Sequence, residues 1–479
     1  MASSREVNPW LGLLPILGAL ALWRWWIAAS LPLSVDEAYY YAWSLTPDWG
    51  YWTKPPLIAW AIGAAHGVCG ASSACVRSVG VLAFTASSAM LCLLALRMGL
   101  GRPLALAVAV AFATLPLTSF YGMVASTDSL LLLCWSGAML SLWLALQGRP
   151  SAWLMLGLCA GLGLLAKYSM AVLAPCVALV LLHPQWRHHW RQPGPWLAAI
   201  VALCIFSPNL WWNLNHGMPT LNHTAEISRG QAYSFKLDTM LGFLAEQWLV
   251  GNVVLVSAFV VWLVRSRLKL QPQGWFWLAL SLPMLAVIAT QALLSRAHAN
   301  WAAPAHLALV MASVTFLWRG GHRFWLGAAL VFNLLFAVLL YHGQTLVREP
   351  LGLAASWRTD PYWSLRNWPG IHEQTARLLA QELDRSAWQV ASDDRAVLAQ
   401  LQWGLRLPAG AAMGWMPDGV PMNHFDQRFP LQERKGPILL VTRASEDAVM
   451  RLHPHARRAG PLKSDLLQGN ELSLMAWWL

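Results

Sequence analysis

The run PWLGLLPILGALALWRWWIAASL, residues 9–31, is almost entirely apolar and is long enough to cross a membrane. A transmembrane helix needs about 20 such residues. Similar runs recur up to residue 341 of the chain, which has 479 residues, 57% of them hydrophobic and 11% charged. This composition predicts a polytopic α-helical membrane protein.

The apolar runs predict about eleven transmembrane helices. They lie near residues 9–31, 73–96, 103–120, 128–147, 152–166, 169–183, 196–212, 243–264, 274–294, 300–318 and 324–341. The segment LIAWAIGAAHGVCG, residues 57–70, is too short to cross and is expected to lie at the membrane interface. Arg24, a charged residue within the first run, is expected to extend from the helix end towards the membrane surface.

The loops between these helices separate by charge. One set carries basic residues and no acidic ones: Arg97, Arg102, Arg149, Arg187, Arg191, Arg265, Arg267, Lys269, Arg319 and Arg323. The positive-inside rule places this set in the cytoplasm. The opposite set carries the acidic residues Asp36, Glu37, Asp48, Asp128, Glu226, Asp238 and Glu246. Chemistry that needs a carboxylate is therefore expected on the outer side. Orientation signals and lipid head groups, rather than nucleic acid, account for the formal net charge of +11.

The tail, residues 343–479, has a different pattern. Helical patterns near residues 371–386, 395–405 and 445–453 alternate with the strand-like segments WQVAS (388–392), GPILLVT (436–442) and SLMAWWL (473–479). This alternation predicts a small C-terminal soluble α/β domain on the outer side. Residues 1–342 then form a membrane domain with a first outer loop at 32–72 and a long outer loop at 207–242.

The segment SVDEAYYYAWSLTPDWGYWTKPP, residues 34–56, places an acidic pair and one lysine directly after the first span. Ser34 and Glu37 match a capping box, in which each side chain binds the other's backbone amide. The capping box does not use the side chain of Asp36. A carboxylate at a helix N-terminus is stabilised by the helix dipole, which suits a general base or a metal ligand.

Cations on the acid-rich side need a separate explanation, because they oppose the positive-inside bias. Lys167 and Arg296 lie between apolar runs, and the prolines after Lys54 hold that lysine in an extended backbone. An anionic lipid-linked phosphate would account for all three. For Lys54, contact with lipid head groups is an equally good explanation. Asp128, at the start of the fourth span, either supplies a second carboxylate or caps the helix.

The seven cysteines give no disulfide scaffold, since all lie between Cys69 and Cys204 and most are inside apolar runs. Cys69 and Cys75 either pair, if they face an oxidising compartment, or remain two small buried thiols. The sequence favours the thiols.

The order of six motifs resembles bacterial membrane glycosyltransferases of the protein-O-mannosyltransferase type, glycosyltransferase family 39 of the GT-C superfamily. The motifs are DEAYY (36–40), YWTKPPL (51–57), STDSLLLL (126–133), GLLAKYS (163–169), SPNLWWNLNHG (207–217) and RAHANWAAPAH (296–306). The resemblance implies a GT-C-like membrane fold and transfer of a sugar from a polyprenyl-phosphate donor, with inversion. The implied acceptor is a lipid, a glycan or a protein at the periplasmic face of the bacterial inner membrane.

The resemblance also implies roles for individual residues. Asp36 would act as general base or metal partner, Lys54 would contact the donor phosphate, and Asp128 would supply the second carboxylate. Together with the residue chemistry, we predict a catalytic set, Asp36, Glu37 and Asp128; a phosphate-binding set, Lys54, Lys167 and Arg296; and a substrate-binding set, Tyr39, Tyr51, Tyr168, Asn209, His298 and Asn300. No cofactor is assigned, and Asp36 and Asp128 are the candidate ligands if a divalent cation takes part.

Related lipid A aminoarabinose transferases carry DETR where this chain has DEAY, residues 36–39. The missing arginine argues against that particular sugar. Two other functions fit parts of the pattern. A transporter or flippase would also have many spans with embedded charges, but it tends to place them near the bilayer midplane on broken helices. A sugar-polymer ligase would share the lipid donor but would not need the α/β tail.

Overall fold

The computed structural model describes residues 9–229, 235–267, 271–354, 356, 358–431, 436–464 and 474–479. By its internal contacts the chain divides into two compact units. The first comprises residues up to Ile27, Lys54–Ile58 and Arg77–Tyr341, and the second comprises Ala28–Thr53, Ala59–Val76 and His342–Leu479. The second unit therefore joins the tail to most of the first predicted outer loop.

All regular secondary structure in the described part of the chain up to residue 343 is helical. They are α1 (Pro9–Ala29), α2 (Val35–Ser44), α3 (Leu57–Cys69), α4 (Ser73–Arg97), α5 (Arg102–Thr114), α6 (Pro116–Tyr121), α7 (Thr127–Leu146), α8 (Ser151–Ala166), α9 (Leu173–Leu181), α10 (Pro193–Asn215), α11 (Pro219–Arg229), α12 (Leu237–Val250), α13 (Val253–Ser266), α14 (Pro272–Leu294), α15 (Ala303–Arg319) and α16 (Arg323–Gly343). Short 3-10 helices lie at Tyr168–Val172, Arg187–Arg191 and Ala299–Ala302, and a π-helix follows α16 at Gln344–Arg348.

The protein is a polytopic helical membrane protein, but the expected count of eleven spans is wrong. Among the described residues seven helices are long and apolar enough to cross a membrane, or eight if the bent pair α12 and α13 is one span. The predicted spans 103–120, 152–166 and 169–183 fall on shorter helices. In the first of these, Leu115 has ψ 147° because the ring of Pro116 disfavours helical backbone in the residue before it. The apolar run therefore continues while the helix ends.

The predicted span 243–264 is also divided. It consists of α12 and α13, which meet at an angle of 111°. Asn252 has φ +70° between them, and its side chain accepts hydrogen bonds from the backbone N–H groups of Val254 at 2.8 Å and Leu255 at 3.2 Å. Asn252 thus begins a new helix where the apolar pattern indicates a continuous one.

Arg24 does not reach the membrane surface as expected, because its side chain is buried. Its Nη2 donates to the carbonyl oxygen of Ala113 at 2.8 Å, and its Nε donates to the Tyr341 hydroxyl at 3.2 Å. Tyr341 in turn donates to the carbonyl oxygen of Ser119 at 2.7 Å. Carbonyl groups next to a helix break lack partners within their helix, and a buried arginine can satisfy them. Arg24 therefore ties α1 to α5 and α16.

Small residues bring α8 and α10 close together. A Cβ atom added to Gly157 would lie 2.6 Å from the carbonyl oxygen of Ala198, and one added to Gly161 would lie 2.7 Å from Cβ of Ile205. Small residues one turn apart allow membrane helices to approach at backbone distance. This packing fixes the position of Lys167, at the end of α8, relative to α10.

The tail contains the predicted α/β elements. Its helices are α17 (Trp363–Arg366), α18 (Trp368–Glu382), α19 (Arg395–Gly404), α20 (His424–Arg428) and α21 (Glu446–Leu452), and its strands are β1 (Val390–Ser392), β2 (Ala412–Gly414), β3 (Leu439–Thr442), β4 (Arg457–Leu462) and β5 (Leu474–Trp478). The strands form one mixed sheet in the order β2-β1-β3-β5-β4, in which β1 is parallel to β2 and β3. The predictions of α18, α19, α21, β1, β3 and β5 are confirmed, whereas β2 and β4 were not predicted.

The expectation of two free thiols is wrong. Cys69, at the end of α3, forms a disulfide with Cys75 in the first turn of α4. The apolar neighbours of both residues suggested burial, but Cys69 lies at an exposed helix end.

Two histidines of the second unit, one buried and one half-buried, should make its stability depend on pH. Burial lowers the pKa of His372, on α18, to about 4 and that of His424, on α20, to about 3. Below about pH 6.5 an unfolded chain binds protons that these native residues do not bind, so stability falls with falling pH. Each histidine should cost about 2 kcal/mol between pH 6.5 and pH 5. Thermal unfolding of the purified protein should show this loss, and His424→Gln should reduce it.

The exposed residue His455 provides the matched control. A His455→Gln variant should lose as much stability on acidification as the unchanged protein. If His372→Gln and His424→Gln also leave the acid-dependent loss unchanged, these two histidines do not cause it.

Candidate active site

Asp128, Lys167 and Asn300 form a cluster in the first unit. Lys167 Nζ lies 2.7 Å from Asp128 Oδ1, and Asn300 Nδ2 donates to Asp128 Oδ2 at 2.9 Å. The side chains of Lys167 and Asp128 are 17% and 9% exposed, so the ion pair is largely shielded from solvent. Three predicted site residues from distant parts of the sequence therefore meet.

Local structure explains how each member is presented. Ser126 caps α7, since its side chain accepts from the Ser129 backbone N–H at 3.3 Å. Asp128 is therefore not the capping residue, and its position in the first turn is favoured by the helix dipole. Lys167 follows α8 with extended backbone, φ −159° and ψ 134°, before the next 3-10 helix begins. Asn300 lies in the 3-10 helix that precedes α15.

The cluster leaves N–H donors of the lysine available for a ligand. Both Asp128 oxygens accept a hydrogen bond from a side chain. An ammonium group has three N–H donors, and the ion pair with Asp128 uses one of those of Lys167. Asp128 and Asn300 thus orient Lys167, whose remaining donors can bind an anion.

A second polar group surrounds Tyr168. Its hydroxyl donates to Asn209 Oδ1 at 2.8 Å and accepts from Asn213 Nδ2 at 3.2 Å. The structure therefore brings two predicted substrate-binding residues, Tyr168 and Asn209, into contact. Asn213 was missed, although its place one helical turn after Asn209 in the motif SPNLWWNLNHG was a usable signal.

In the second unit, Glu37 and Asp36 have different surroundings. The capping box is present: the Ser34 backbone N–H donates to Glu37 Oε2 at 2.9 Å, and the Glu37 N–H donates to Ser34 Oγ at 3.2 Å. Glu37 is buried, whereas the Asp36 side chain is 62% exposed. Asp36 is thus the carboxylate accessible to a substrate.

Arg395, on α19, is a neighbour of Asp36 that the sequence analysis missed. Its Nη1 lies 3.4 Å from Asp36 Oδ1, across a separation of 359 residues. Its guanidinium also lies over the ring of Tyr39, at 5.1 Å from the centroid. No local signal links α2 to a residue so far along the chain, so only the fold reveals this pair.

Two predicted substrate-binding tyrosines are buried inside the second unit. The Tyr39 hydroxyl accepts from the His424 backbone N–H at 2.8 Å. The Tyr51 hydroxyl donates to the carbonyl oxygen of Trp43 at 3.1 Å, and its ring stacks on that of Trp43. Burial raises the pKa of both tyrosines above its usual range. Both tyrosines thus pack inside the unit, and their role in substrate binding stays a prediction.

The remaining predicted residues lie in connecting segments. Lys54 is half-buried in the bend before Pro55, and Arg296 and His298 are exposed in the segment between α14 and Asn300. In the parts of the chain that the structure describes, no three His, Cys, Asp or Glu side chains are grouped as a metal ion requires.

An apolar groove lies in the first unit, and residues near Lys167 in the sequence take part in its lining. It has a volume of about 410 Å³ and is lined by α8, α9, α10 and the 3-10 segments beside them. Leu164 and Met170, each three residues from Lys167, line the groove. Ala174 and Ala199 line it further along. Such a groove can bind a hydrocarbon chain next to a cation.

Comparisons with known proteins show what this chain is similar to. The family model for dolichyl-phosphate-mannose-protein mannosyltransferases matches residues 53–212. The lipid A galacturonosyltransferase RgtD of Rhizobium johnstonii is 30% identical over 91% of this chain and 91% of its own length. The undecaprenyl phosphate-alpha-4-amino-4-deoxy-L-arabinose arabinosyl transferase of Erwinia tasmaniensis is 36% identical over 34% of this chain and 30% of its own length.

A solved structure has the same fold. ArnT from Cupriavidus metallidurans, bound to undecaprenyl phosphate, matches with a TM-score of 0.67 and 16% identity over 97% of this chain and 98% of that chain. The predicted family is thus confirmed by a relative similar over nearly its whole length. This chain belongs to the dolichyl-phosphate-mannose-protein mannosyltransferase family, glycosyltransferase family 39, and is a multi-pass membrane glycosyltransferase.

Proposed function

We propose that this chain transfers a sugar from a polyprenyl-phosphate donor to lipid A or to the core of lipopolysaccharide, with inversion at the anomeric carbon. The observation that carries the proposal is the ion pair of Lys167 and Asp128, whose lysine is flanked in sequence by residues lining an apolar groove. A polyprenyl phosphate combines a long hydrocarbon chain with an anionic head, and the groove and the lysine suit these two parts.

In the proposed reaction, the bond between the sugar and the donor phosphate breaks and polyprenyl phosphate leaves. The negative charge that develops on the leaving oxygen needs positively charged donors placed in advance. Lys167 is the first candidate, since Asp128 and Asn300 hold it in place. Lys54 and the exposed Arg296 remain proposed as further contacts to the phosphate.

Asp36 is proposed as the general base that removes the proton from the acceptor hydroxyl. Its carboxylate is exposed and takes no part in the cap of α2. The deprotonated oxygen then attacks the anomeric carbon on the face opposite the leaving phosphate, which inverts that centre. If a divalent cation takes part, Asp36 is instead its proposed ligand.

Galacturonate is the proposed sugar. The relative that is similar over nearly the whole chain is a lipid A galacturonosyltransferase, whereas the aminoarabinose transferase matches over 34% of this chain. The segment DEAY, residues 36–39, also departs from the DETR of aminoarabinose transferases.

A donor panel tests this function. Purified protein would be incubated with lipid A and with labelled polyprenyl-phosphate donors that carry galacturonate or 4-amino-4-deoxy-L-arabinose. We expect galacturonate to reach lipid A at least about tenfold faster, because one polar group of a substrate can change the rate that far. Transfer of aminoarabinose instead would contradict the assignment of galacturonate, but it would still agree with a polyprenyl-phosphate donor. Lipopolysaccharide that carries the core would be tested as a second acceptor, and absence of label from both donors in both acceptors would contradict the proposed function.

The groove gives a second prediction. Ala174→Phe narrows it in the middle, so the variant should need a higher concentration of a long-chain donor. We expect KM to rise about tenfold for a full-length polyprenyl donor and to stay within about twofold for a donor with a short prenyl chain. Rates at several donor concentrations give both values.

Val331→Phe is the matched control, because Val331 is an exposed apolar residue on α16 outside the groove lining. If Ala174→Phe changes KM equally for long and short donors, the hydrocarbon chain does not occupy this groove.

The acid-rich ends of the helices are proposed to face the periplasm. The charge distribution in the loops supports this orientation. The disulfide between Cys69 and Cys75 gives independent support, since disulfides persist in oxidising compartments. Residues 343–479 are proposed to form, with most of the first outer loop, the periplasmic part of the enzyme.

A further inference from the structure

A second groove lies between α13, α15 and α16. It has a volume of about 370 Å³, and most of its lining is apolar, including Val254, Val261, Leu317 and Trp325. Arg265 and His322 also line it. The groove is thus largely apolar, with an arginine and a histidine in its wall.

Arg265 and His322 lie at one end of the groove. Lining residues on α13 recur at helical spacing from Val253 to Arg265, so the groove follows the helix and Arg265 marks its end. His322 lies in the turn between α15 and α16, and its ring is 6.0 Å from that of Phe316. Both Arg265 and His322 are exposed. A ligand can therefore reach them from the membrane surface.

The charged residues next to this end in the sequence of α13, α15 and α16 are all basic. Arg267, Arg319 and Arg323 flank it, and Arg323 lies over the ring of Trp318 at 4.9 Å. Neither 251–267 nor 303–343 contains an acidic residue. Aromatic and basic residues together at a helix end are typical of the head-group level of a membrane.

We propose that this groove binds an anionic phospholipid, with an acyl chain along α13 and the head-group phosphate against Arg265 and His322. The charge complementarity selects an anionic head group, and basic pockets between membrane helices are known to bind such lipids. Free phosphate would leave the apolar lining unoccupied. A zwitterionic lipid would fill the groove without matching its charge.

This site is separate from the proposed donor site. Helix α15 begins directly after the 3-10 helix that holds Asn300 and has 17 residues up to Arg319. A helix of that length spans about 25 Å, so the two sites lie at opposite ends of α15. The phospholipid would therefore come from the opposite leaflet, and its binding does not depend on the proposed sugar transfer.

Native mass spectrometry of the full-length protein in neutral detergent tests the proposal. Phosphatidylglycerol and phosphatidylcholine with identical acyl chains would each be titrated. In the double variant Arg265→Gln and His322→Gln, the Kd for phosphatidylglycerol should rise at least about tenfold, while that for phosphatidylcholine stays within about twofold. Arg149→Gln, an exposed arginine in another basic turn, should leave both values unchanged.

Val261→Trp tests the groove independently of charge, because it fills the lining with a larger side chain. It should weaken phosphatidylglycerol binding at least about fivefold while Arg265 and His322 remain. Added inorganic phosphate should not displace the lipid. The proposal is overturned if the double variant binds phosphatidylglycerol unchanged, if Arg149→Gln weakens binding equally, if Val261→Trp has no effect, or if inorganic phosphate competes fully.

Discussion

Replacing Lys167 by methionine is expected to lower kcat/KM for sugar transfer about a hundred- to a thousandfold, the range for losing one well-placed group that stabilises developing charge. Methionine keeps the length and apolar part of the side chain but removes the ammonium group that Asp128 holds at 2.7 Å. The loss should appear mainly in kcat, since the charge on the departing phosphate grows in the transition state.

Initial rates with a labelled donor measure this effect, and thermal unfolding checks that the variant is folded. Lys167→Arg, which keeps the charge, should recover part of the activity. Lys236→Met is the matched control, because Lys236 is an exposed lysine at the start of α12. If kcat/KM of Lys167→Met stays within about threefold of that of the unchanged enzyme, Lys167 takes no part in the reaction.

Replacing Asp36 by asparagine is expected to lower kcat about a hundred- to ten-thousandfold with little change in donor binding, as loss of a general base does. Stability should not fall, because the cap of α2 uses Ser34 and Glu37 and leaves Asp36 exposed. The isosteric amide cannot accept the proton of the acceptor. Single-turnover rates, measured beside the donor Kd, separate the chemical step from binding.

Glu37→Gln provides the comparison for Asp36→Asn. Glutamine retains an oxygen that can accept from the Ser34 backbone N–H, so activity should stay within about threefold. Equal losses in the two variants would mean that the acidic pair acts through the structure of α2. A normal rate for Asp36→Asn would exclude Asp36 as the base.

Much of the fold follows from hydrophobic patterning, but the helix breaks do not. The apolar runs predicted a polytopic membrane protein and the tail pattern predicted most sheet elements, since burial dictates both. Pro116 and the pair Gly251-Asn252 interrupt helices inside runs that stay apolar, so a count based on hydropathy gave too many spans. Proline, and glycine followed by asparagine, were the available signals.

For the candidate site, the sequence indicates which residues matter but not which of them are in contact. Residue chemistry singled out Asp128, Lys167 and Asn300 separately, and only the packing of α7, α8 and the segment before α15 brings them together. Tyr39 and Tyr51 were also singled out one by one, and the fold buries both in the second unit, since α2 packs one face against the tail.

A structure of this protein with bound polyprenyl phosphate is the most direct test of the donor site. Lys167 Nζ should lie within about 3 Å of a phosphate oxygen, with Asp128 still paired to the lysine and the prenyl chain along the groove beside Leu164 and Met170. A phosphate bound elsewhere, with the Lys167 and Asp128 pair unaltered and no ligand at it, would contradict the proposed donor site.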